Sequence, residues 1–519
     1  MKHLREPLSR PADKSGRAVP ALSVPLLQRR DAAATLAHTL SPQSGERAGR
    51  GVLCMATRFP PNLFFFLVLL LWTTRGFAQA RLWLTDPDHA VFFQEQSGSL
   101  PFADATNGHP AIVVDEAATF QEMDGFGCCL TGGSAAHLMR MDPANRAALL
   151  EELFATDGAH IGISYLRVSI GSSDLDAHPF SYDDLPAGQT DPSLAKFSLA
   201  PDFAAVIPVL KEILAIRPEI KILGSPWSAP AWMKDNNDTR GGSLRPEFYA
   251  AYAAYFVKYI QGMRAERIGI DAITVQNEPL NPHNNPSMFM LADEQASFIK
   301  HHLGPAFRAA ALGTKIILYD HNCDHPDYPI SILDDPAAAR YVDGSAFHLY
   351  AGTIDALSEV HRAHPDKALY FTEQWMGAHS DFKQSLDEHI CNLTIGATRN
   401  WSRNVLEWNL AADPRYLPHT DRGGCDRCQG TVTIDGNNVA RNAGYYVMAH
   451  AAKFVRPGSL RIASNEPPSL PNVAFKAPGG QKILLVLNSG PSPKTFNIRH
   501  KGLQTESTLN SGAVGTYVW

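Results

Sequence analysis

The sequence lacks any apolar run long enough to cross a bilayer as a helix. Its strongest run, Leu63 to Trp72, has about ten residues, whereas a membrane-spanning helix needs about 20. The sequence also lacks a block of Lys and Arg interleaved with aromatic residues, and its net charge is -6 over 519 residues. We therefore expect no stable membrane span and no nucleic-acid partner, and a neutral ligand suits this charge better than a polyanion.

The run from Leu63 to Trp72 instead predicts a secretory signal. Arg58 precedes it and Ala78-Gln79-Ala80 follows it, which is the order of a basic region, an apolar region and a small-residue cleavage site. Residues 55–80 would form the signal peptide, with cleavage near Ala80 and a secreted or periplasmic product. Residues 1–54 would be a disordered leader or a misassigned start. An uncleaved signal anchor is the alternative.

Cysteine is scarce, with seven residues in the chain. Cys54 lies in the expected leader, and the remaining even number suits an oxidising compartment. The spacing of Cys425 and Cys428 favours a local disulfide, with free thiols as the alternative. A zinc site would need a second pair of Cys or His at close spacing, and none follows in the sequence.

Residues 118–450 carry the signature of repeated strand-helix units. Apolar runs rich in Val and Ile alternate with longer amphipathic stretches, which predicts a parallel sheet. Because no Gly-rich phosphate fingerprint appears early, a closed (β/α)8 TIM barrel is favoured over an open doubly wound sheet. The eight expected strands are Gly125–Leu130, Ile163–Ile170, Ile220–Ser225, Ala272–Gln276, Lys315–Tyr319, Ser345–Tyr350, Ala368–Thr372 and Asn404–Trp408.

The pattern changes at residues 451–519. Short alternating segments such as Lys482–Asn488 are separated by turn-forming residues, which predicts a small antiparallel β-sandwich. Residues 81–117 are also strand-like, and we expect them to contribute strands to the same sandwich. The fold class is thus α/β, a TIM barrel with an attached β-sandwich.

Two strand-forming segments of the barrel end on glutamate. Thr274–Pro279 contains Glu278, and Tyr370–Trp375 contains Glu373. A charged residue at the end of a buried strand reaches solvent only at a cleft. Two carboxylates placed in this way are the minimum equipment for cutting a glycosidic bond. For either glutamate alone, a structural ion pair is the competing explanation.

Other strand ends carry polar and aromatic side chains. Tryptophan faces stack on sugar rings, and short amides and carboxylates bind hydroxyl groups, so this set predicts a neutral saccharide as the ligand. Core packing is the alternative for the tryptophans, and a satisfied buried imidazole is the alternative for His348. The residues are Asp174, Trp227, Asn277, His348, Tyr350, Trp408 and Asn409.

Several of these segments, in this order, resemble glycoside hydrolase family 30, the glucosylceramidase-like members of the clan of retaining barrel glycosidases. They are Gly125–Thr131, Ser225–Lys234, Thr274–Pro279, His348–Tyr350, Thr372–Glu373 and Glu407–Leu410. The resemblance covers nearly all of residues 81–519. The loop Gly423–Gly430, which differs from that of animal glucosylceramidases, is what we would expect of a bacterial member.

The resemblance implies that Glu278 is the general acid/base and Glu373 the nucleophile, with no metal and no cofactor. Glu373 would then have to stay ionised, helped by the Tyr350 hydroxyl, while the pKa of Glu278 would have to be raised. A retaining pair is separated by about 5 to 5.5 Å. Asn277 would bind the sugar 2-hydroxyl, and Asp174, Trp227, Trp408 and Asn409 would line the pocket for the glycone.

The expected activity is retaining hydrolysis of β-glucosides through a covalent glycosyl-enzyme, with glucosylceramide-type glycolipids as the first candidate substrates. A β-xylosidase or a β-1,6-glucanase on the same fold is the alternative, and a non-catalytic carbohydrate-binding protein is a further one. The partner is then a carbohydrate or a glycolipid. The sequence gives no indication of oligomeric state.

Overall fold

Eight parallel strands close into a barrel, and a second β-sheet packs against it. The structure, a computed structural model, describes residues 78–519. The expected leader at 1–54 and all but the end of the expected signal peptide at 55–80 lie outside these residues. Within the described part of the chain, no helix combines the length and the apolar character that spanning a membrane requires.

The strands fall into four groups along the chain. Four strands precede the barrel: β1 (Gln79–Asp86), β2 (Val91–Glu95), β3 (Leu100–Pro101) and β4 (Ala111–Glu122). The next group contains the barrel and one short strand, β12: β5 (Gly125–Leu130), β6 (Tyr165–Ser169), β7 (Lys221–Ser225), β8 (Ala272–Thr274), β9 (Lys315–Cys323), β10 (Gly344–Gly352), β11 (Ala368–Glu373), β12 (Met376–Gly377) and β13 (Ser402–Asn409). Four short strands follow: β14 (Ala411–Ala412), β15 (Cys428–Gln429), β16 (Val432–Asp435) and β17 (Asn438–Arg441). Six close the chain: β18 (Leu460–Ser464), β19 (Asn472–Lys476), β20 (Lys482–Leu487), β21 (Lys494–His500), β22 (Leu503–Leu509) and β23 (Val514–Val518).

The α-helices cover the outside of the barrel. They are α1 (Gly132–Arg140), α2 (Pro143–Phe154), α3 (Val206–Ile216), α4 (Tyr249–Ala265), α5 (Ala292–Phe298), α6 (Gly304–Ala309), α7 (Asp327–Leu333), α8 (Pro336–Ala339), α9 (Ala356–Ala363), α10 (Phe382–His389) and α11 (Ala443–Ala452). Two π-helical segments, Ile299–Leu303 and Ile390–Ala397, continue α5 and α10.

The barrel order is β10-β11-β13-β5-β6-β7-β8-β9, with every adjacent pair parallel. Each of the eight runs expected from the sequence supplies one strand, so the barrel prediction is confirmed. The runs are almost continuously apolar because the helices bury one side of each strand while the barrel interior buries the other.

The barrel interior is filled in layers. One layer is formed by side chains that pack together inside the barrel: Tyr165, Leu223, Ala272, Ile317, Ala346, Tyr370 and Leu406. Since inward positions recur every second residue, the next layer lies two residues further along each strand. That layer is polar and buried, and it includes Arg167, Ser225, Thr274, His348 and Thr372. The floor of the site is therefore built into the strands themselves.

The second sheet has the order β2-β1-β23-β20-β19-β18-β4-β21-β22. Its neighbours are antiparallel, except that β4 and β21 run parallel. The sheet folds over so that two layers enclose a separate core, which includes Ile112, Leu484, Val486, Phe496 and Tyr517. This is the β-sandwich that the sequence predicted, and the fold class is confirmed.

The first strand joins the last one. β1 pairs with β23 from Arg81–Val518 to Thr85–Val514. Its first residues, Gln79 and Ala80, pair with β3, and Ala80 is fully buried. A mature chain that began at Arg81 would therefore lack two residues of this strand.

Candidate active site

The two strand-end glutamates meet in one cavity at the C-terminal mouth of the barrel. Glu278 follows β8 and Glu373 ends β11, and both side chains are buried. One carboxylate oxygen of each lies within 4.8 Å of the other. The cavity has a volume of about 460 Å³. It is lined by Asp174, Glu278, Asn281, Asn284, Asn322, Tyr350, Glu373, Trp375, Trp408 and the segment Cys425–Cys428.

Glu373 accepts hydrogen bonds on both of its oxygens. Arg167 Nη1 donates to Oε2 at 2.5 Å, and the Tyr350 hydroxyl donates to Oε1 at 2.9 Å. Tyr350 therefore lies where a donor to this carboxylate was expected from the sequence. The two bonds fix the orientation of the carboxylate toward the cavity.

Glu278 has a different set of donors. The side-chain amides of Asn281 and Asn284 both reach Oε2, at 2.7 and 3.1 Å. His348 Nδ1 lies 3.3 Å from Oε1. The backbone of Glu278 has a φ of 45°, a left-handed conformation that is uncommon for a residue other than glycine. Such a conformation often accompanies a functional side chain held in place by its surroundings.

A buried polar network lies beneath the two glutamates. Arg167 Nη2 donates to Asp320 Oδ2 at 2.8 Å and to Asn277 Oδ1 at 2.6 Å. Asp320 Oδ1 accepts from Thr372 at 2.6 Å and lies 3.1 Å from His348 Nε2. Arg167 and Asp320 are both inaccessible to solvent. Neither residue was predicted as a site residue from the sequence, although each is a charge within or directly after an apolar run.

The charges of this network set the protonation of the site. Burial alone would lower the pKa of His348, but the charge of Glu373 and the hydrogen bonds to Asp320 and Glu278 raise it to about 9. Burial would raise the pKa of Glu278, but the hydrogen bond and charge of His348 lower it to about 2. The pKa of Glu373 is raised, by burial and by the charges of Glu278 and Asp320, against the opposing effect of His348 and Arg167.

This order is the reverse of the one expected from the sequence, which required a raised pKa at Glu278 and an ionised Glu373. The reason is the position of His348, because its Nδ1 lies closer to Glu278 than to Glu373, at 3.3 against 3.9 Å. A protonated His348 thus holds Glu278 ionised and keeps a proton next to it.

Glu278, His348 and Glu373 are also close enough to hold a cation, since one ligand atom of each lies within 4.8 Å of the others. The donor set argues against that use. Both ring nitrogens of His348 face carboxylates, and Arg167 already supplies positive charge to Glu373. The expectation that the site needs no metal stays a prediction.

The aromatic residues divide into two groups. Trp408 lines the cavity, and so does Trp375, which was not predicted from the sequence. Trp227 stacks behind Trp408 with ring centroids 5.3 Å apart, and the Arg167 guanidinium lies 4.7 Å from its ring. Trp227 does not line the cavity, so its contact with the site is through Trp408 and Arg167.

Asn277 and Asn409 lie near the cavity, but they do not line it. Asn277 Oδ1 accepts the hydrogen bond from Arg167 Nη2. Asn409 Oδ1 accepts from the hydroxyls of Thr131 and Ser134, at 3.1 and 2.7 Å, which ties β13 to the start of α1. Both amides hold the framework of the site in this structure.

Asp174 is a buried carboxylate that also lines the cavity. Burial and then the charges of Glu373 and Glu278 raise its pKa to about 8. The backbone N–H of Cys425 donates to its Oδ2 at 3.2 Å. Cys425 is joined to Cys428 by a disulfide, the pairing that the sequence favoured.

Two buried carboxylates within 4.8 Å, in a cavity walled by tryptophan and amide side chains at the C-terminal mouth of a (β/α)8 barrel, define the class of barrel glycoside hydrolases. Residues 123–455 match the Glycosyl hydrolase family 30 TIM-barrel domain, and residues 458–517 match the Glycosyl hydrolase family 30 beta sandwich domain. The chain therefore belongs to glycoside hydrolase family 30 and is a glycoside hydrolase. The family resemblance noted in the sequence is confirmed.

Individual relatives fall into two activity groups. An endo-1,6-beta-D-glucanase of Neurospora crassa is 40% identical over 352 residues, which is 66% of this chain and 72% of the relative. The solved structure of the endo-beta1,6-glucanase BT3312 has a TM-score of 0.79 at 33% identity, covering 85% of this chain and 99% of the other. The lysosomal acid glucosylceramidase of Mus musculus is 29% identical over 427 residues, 77% of this chain and 81% of the relative.

Proposed function

We propose that this protein is a retaining endo-β-1,6-glucanase. The observation that carries the proposal is the pair of carboxylates within 4.8 Å, because retaining enzymes separate them by about 5 to 5.5 Å and inverting enzymes by about 6.5 to 9.5 Å. The linkage is supported by relatives named as endo-1,6-β-glucanases at 40% and 33% identity. The relative named as a glucosylceramidase has 29% identity, so the comparisons favour the alternative over the glycolipid substrate first expected.

The residues around Glu278 support a sugar as the leaving group. Asn281 and Asn284 donate to Glu278 and line the cavity. Asn322, Asp426 and Arg427 line it as well. Amide and charged groups bind sugar hydroxyls well, whereas a ceramide tail would leave their hydrogen-bonding capacity unmet. The apolar surface of the cavity is largely aromatic, from Tyr350, Trp375 and Trp408, and aromatic faces of this kind also stack on sugar rings.

In the first step, a Glu373 oxygen attacks the anomeric carbon while the bond to the leaving oxygen breaks. Arg167 and Tyr350 orient Glu373 for that attack. Glu278 protonates the leaving oxygen, so the departing sugar is released with its hydroxyl restored. Because the pKa of Glu278 is low, we assign the supply of that proton to His348 Nδ1, which lies 3.3 Å from Oε1.

In the second step, Glu278 takes a proton from water, and the resulting hydroxide equivalent attacks the anomeric carbon of the glycosyl-enzyme. The ester bond to Glu373 breaks, which frees its carboxylate and releases the glucan with its β configuration retained. The proton on Glu278 can then return to His348. The cycle thus begins and ends with the same protonation.

We further propose that Asp174 and Trp408 bind the sugar on the non-reducing side of the cleaved bond, since both line the same cavity as Glu373. Asn277 and Asn409 would act by holding Arg167 and α1 in place, whereas His348 would exchange the proton with Glu278. Secretion after cleavage of residues 55–80 remains a prediction. The Cys425–Cys428 disulfide supports it, because disulfides persist in oxidising compartments.

The test is hydrolysis of a linear β-1,6-glucan, with β-1,3-glucan, β-1,4-glucan, a β-xyloside and glucosylceramide in detergent as parallel substrates. We expect internal cleavage of the β-1,6-glucan to short oligosaccharides whose first-formed anomer is β by NMR. Cleavage of glucosylceramide without cleavage of the glucan would refute the linkage. A first-formed α anomer would refute retention.

The roles of the glutamates are tested by replacement. Glu373→Gln should remove turnover, and azide should restore it in Glu373→Gly with an α-glycosyl azide as the product. In Glu278→Gly, azide should instead give a β-glycosyl azide, because there it attacks the glycosyl-enzyme. Exchange of these two products would mean that the roles are reversed.

A further inference from the structure

The segment from Thr420 to Gly430 crosses the rim of the active-site cavity and contacts three of its walls. Thr420 N donates to the backbone oxygen of Asp174 at 2.9 Å. Asn285, in the loop that follows Glu278, donates through Nδ2 to the carboxylate of Asp421 at 2.9 Å. We call residues 420–430 the rim segment.

The disulfide lies at the part of the rim segment nearest to the cavity. Cys425 N–H donates to Asp174 Oδ2 at 3.2 Å. Among the described residues, no other group donates to that oxygen. Cys428 is buried and packs with Trp227 and Trp408. One cysteine thus holds a carboxylate of the pocket while the other supports its aromatic wall.

The far side of the disulfide is tied to the loop that carries Trp375. Cys428 and Gln429 pair with Gly377 and Met376 in an antiparallel ladder. The Arg427 backbone oxygen accepts from Ala378 N at 2.7 Å. This ladder is only two residues long on each side, so it has little cooperative stability of its own.

We propose that the Cys425–Cys428 disulfide is a positioning device for the glycone pocket, which keeps Asp174 and the tryptophan wall in the geometry that binds the sugar. The proposal rests on the proposed function in so far as Asp174 and Trp408 bind the glycone. Without the bond, Cys425 and Cys428 can separate, and the N–H that orients Asp174 is no longer tied to the Trp375 loop. The buried Asp174 carboxylate would then lose its fixed donor.

The disulfide is poorly suited to stabilising the whole fold. It closes a loop with a sequence separation of 3, and the loop-closure entropy that a disulfide removes from the unfolded chain falls as the loop becomes shorter. Its effect should therefore be concentrated in the pocket. This gives the proposal a signature that a purely structural role would not share, namely weaker sugar binding at nearly unchanged thermal stability.

The experiment compares Cys425→Ser/Cys428→Ser with the matched control Cys391→Ser, which removes a free, half-buried thiol distant in sequence from the rim segment. In a Glu373→Gln background, calorimetric titration with β-1,6-linked glucotriose measures binding without turnover. We expect up to about tenfold weaker binding in the double variant, the upper end of what one ordinary hydrogen bond contributes. The control should bind as the parent does, and Tm should change by no more than about 3 °C in either variant.

A second readout needs no sugar. Because Trp375 and Trp408 flank the disulfide, its loss should increase acrylamide quenching of tryptophan fluorescence, and dithiothreitol should reproduce this effect in the parent but not in the double variant. Unchanged quenching with both thiols titratable would overturn the proposal, as would a large fall in Tm. If quenching rises but the parent binds no glucotriose, the proposed substrate is wrong while the positioning role stands.

Discussion

Oε2 of Glu278 accepts two amide hydrogen bonds of different length. Asn281 Nδ2 lies 2.7 Å away and Asn284 Nδ2 lies 3.1 Å away. Hydrogen bonds to a carboxylate favour its ionised form, so removal of either amide should raise the pKa of Glu278 from its value of about 2. The shorter bond should matter more.

We predict that Asn281→Ala leaves the alkaline limb of the kcat/KM profile where it lies in the parent enzyme. That limb follows the loss of the proton from His348, whose pKa is about 9, whereas Asn281 donates to Glu278. Asn284→Ala should likewise leave the limb in place. An upward shift of about one pH unit, the equivalent of one hydrogen bond to a charged group, would show that Glu278 itself titrates there and would contradict the assignment of the proton to His348.

Asp320 is the buried anion that faces both Arg167 and His348. It lies 2.8 Å from Arg167 Nη2 and 3.1 Å from His348 Nε2, without solvent access. We predict that Asp320→Asn lowers the free energy of unfolding by about 3 kcal/mol, because it leaves buried cationic groups without their partner. Urea denaturation at pH 7 measures the loss.

The control for this prediction is Asp335→Asn. Asp335 pairs with Lys300 at 2.7 Å on the surface and caps α8 through Ala337 N, a cap that Asn also supplies. A pair near the surface contributes much less than a fully buried one, so Asp335→Asn should cost clearly less stability than Asp320→Asn. Equal losses for Asp320→Asn and Asp335→Asn would show that the network beneath the glutamates is not the source of the effect.

Glu278 and Glu373 could be selected from the sequence because each ends a strand-forming run with a charge. Arg167 could not, because a single Arg in the run Ile163–Ile170 is equally compatible with the outside of the barrel. Only the layer order, with Tyr165 directing its ring inward, places Arg167 on the inside two residues later. Which glutamate has the higher pKa also depends on the distance from His348 Nδ1 to each carboxylate. No sequence pattern reveals such a distance.

At the scale of elements, the geometry of β9 explains why Asp320 was not predicted as a site residue. Period-two alternation from the inward Ile317 would direct Tyr319 inward. Instead Tyr319 and Asp320 have φ values of 68° and 65°, and the register with β10 shifts after this point. The bulge directs Tyr319 outward, against Tyr328 of α7, and brings Asp320 into the barrel. Bulges of this kind re-aim side chains near active sites.

The remaining differences between expectation and structure also arise where ladders are short. β8 ends at Thr274, two residues before its expected end, because the chain leaves the barrel ladder to carry Glu278. The strands β12 and β15 are two residues each, too short for any alternation to be read from the sequence. The long runs, by contrast, were placed correctly because burial on both sides leaves a clear apolar signal.

β20 has no exposed face, and this gives a prediction at the scale of the element. Leu484 points into the sandwich core and Leu485 into the core shared with the barrel. The two leucines are adjacent and point in opposite directions, yet both are buried. Leu484→Ala and Leu485→Ala should therefore each lower the free energy of unfolding by about 2 to 5 kcal/mol. Thr508→Ala on the exposed side of β22 should change it by about 0.5 kcal/mol. A neutral result at either leucine in urea denaturation would show that one side of β20 is not packed.

At the scale of the whole molecule, the sandwich joins residues from both ends of the chain. β4 comes before the barrel, and it pairs with β18 and β21, which come after it. His450 of α11 contacts Thr85 of β1 at 2.8 Å and Thr516 of β23 at 2.9 Å. The sandwich domain therefore cannot form until both ends of the chain have been synthesised.

Glu116 of β4 is the charged link between these two parts of the chain. It is surrounded by Lys476, Lys482, His500 and Lys501, from β19 to the turn after β21. The hydrogen bond from Lys501, followed by the bonds and charge of Lys482, outweighs the opposing effect of burial and lowers the pKa of Glu116 to about 2. A carboxylate with a lowered pKa stabilises the folded state at any pH above its unfolded value of about 4.3, and that stabilisation is lost as the pH falls toward the folded value.

We therefore predict that Glu116→Gln lowers stability by about 1 kcal/mol at pH 7, a value reduced for partial solvent screening. The difference from the parent protein should shrink below about pH 4.5 and vanish near about pH 2, where Glu116 is protonated in both states. Thermal unfolding at a series of pH values measures it, and added salt should reduce it. Glu506→Gln, whose partner His109 is 3.7 Å away and half-exposed, should show little difference at any pH. If the Glu116→Gln difference grew on acidification, the lysines around Glu116 would not be what stabilises its charge, and the two ends of the chain would be held together by the ladders and the core alone.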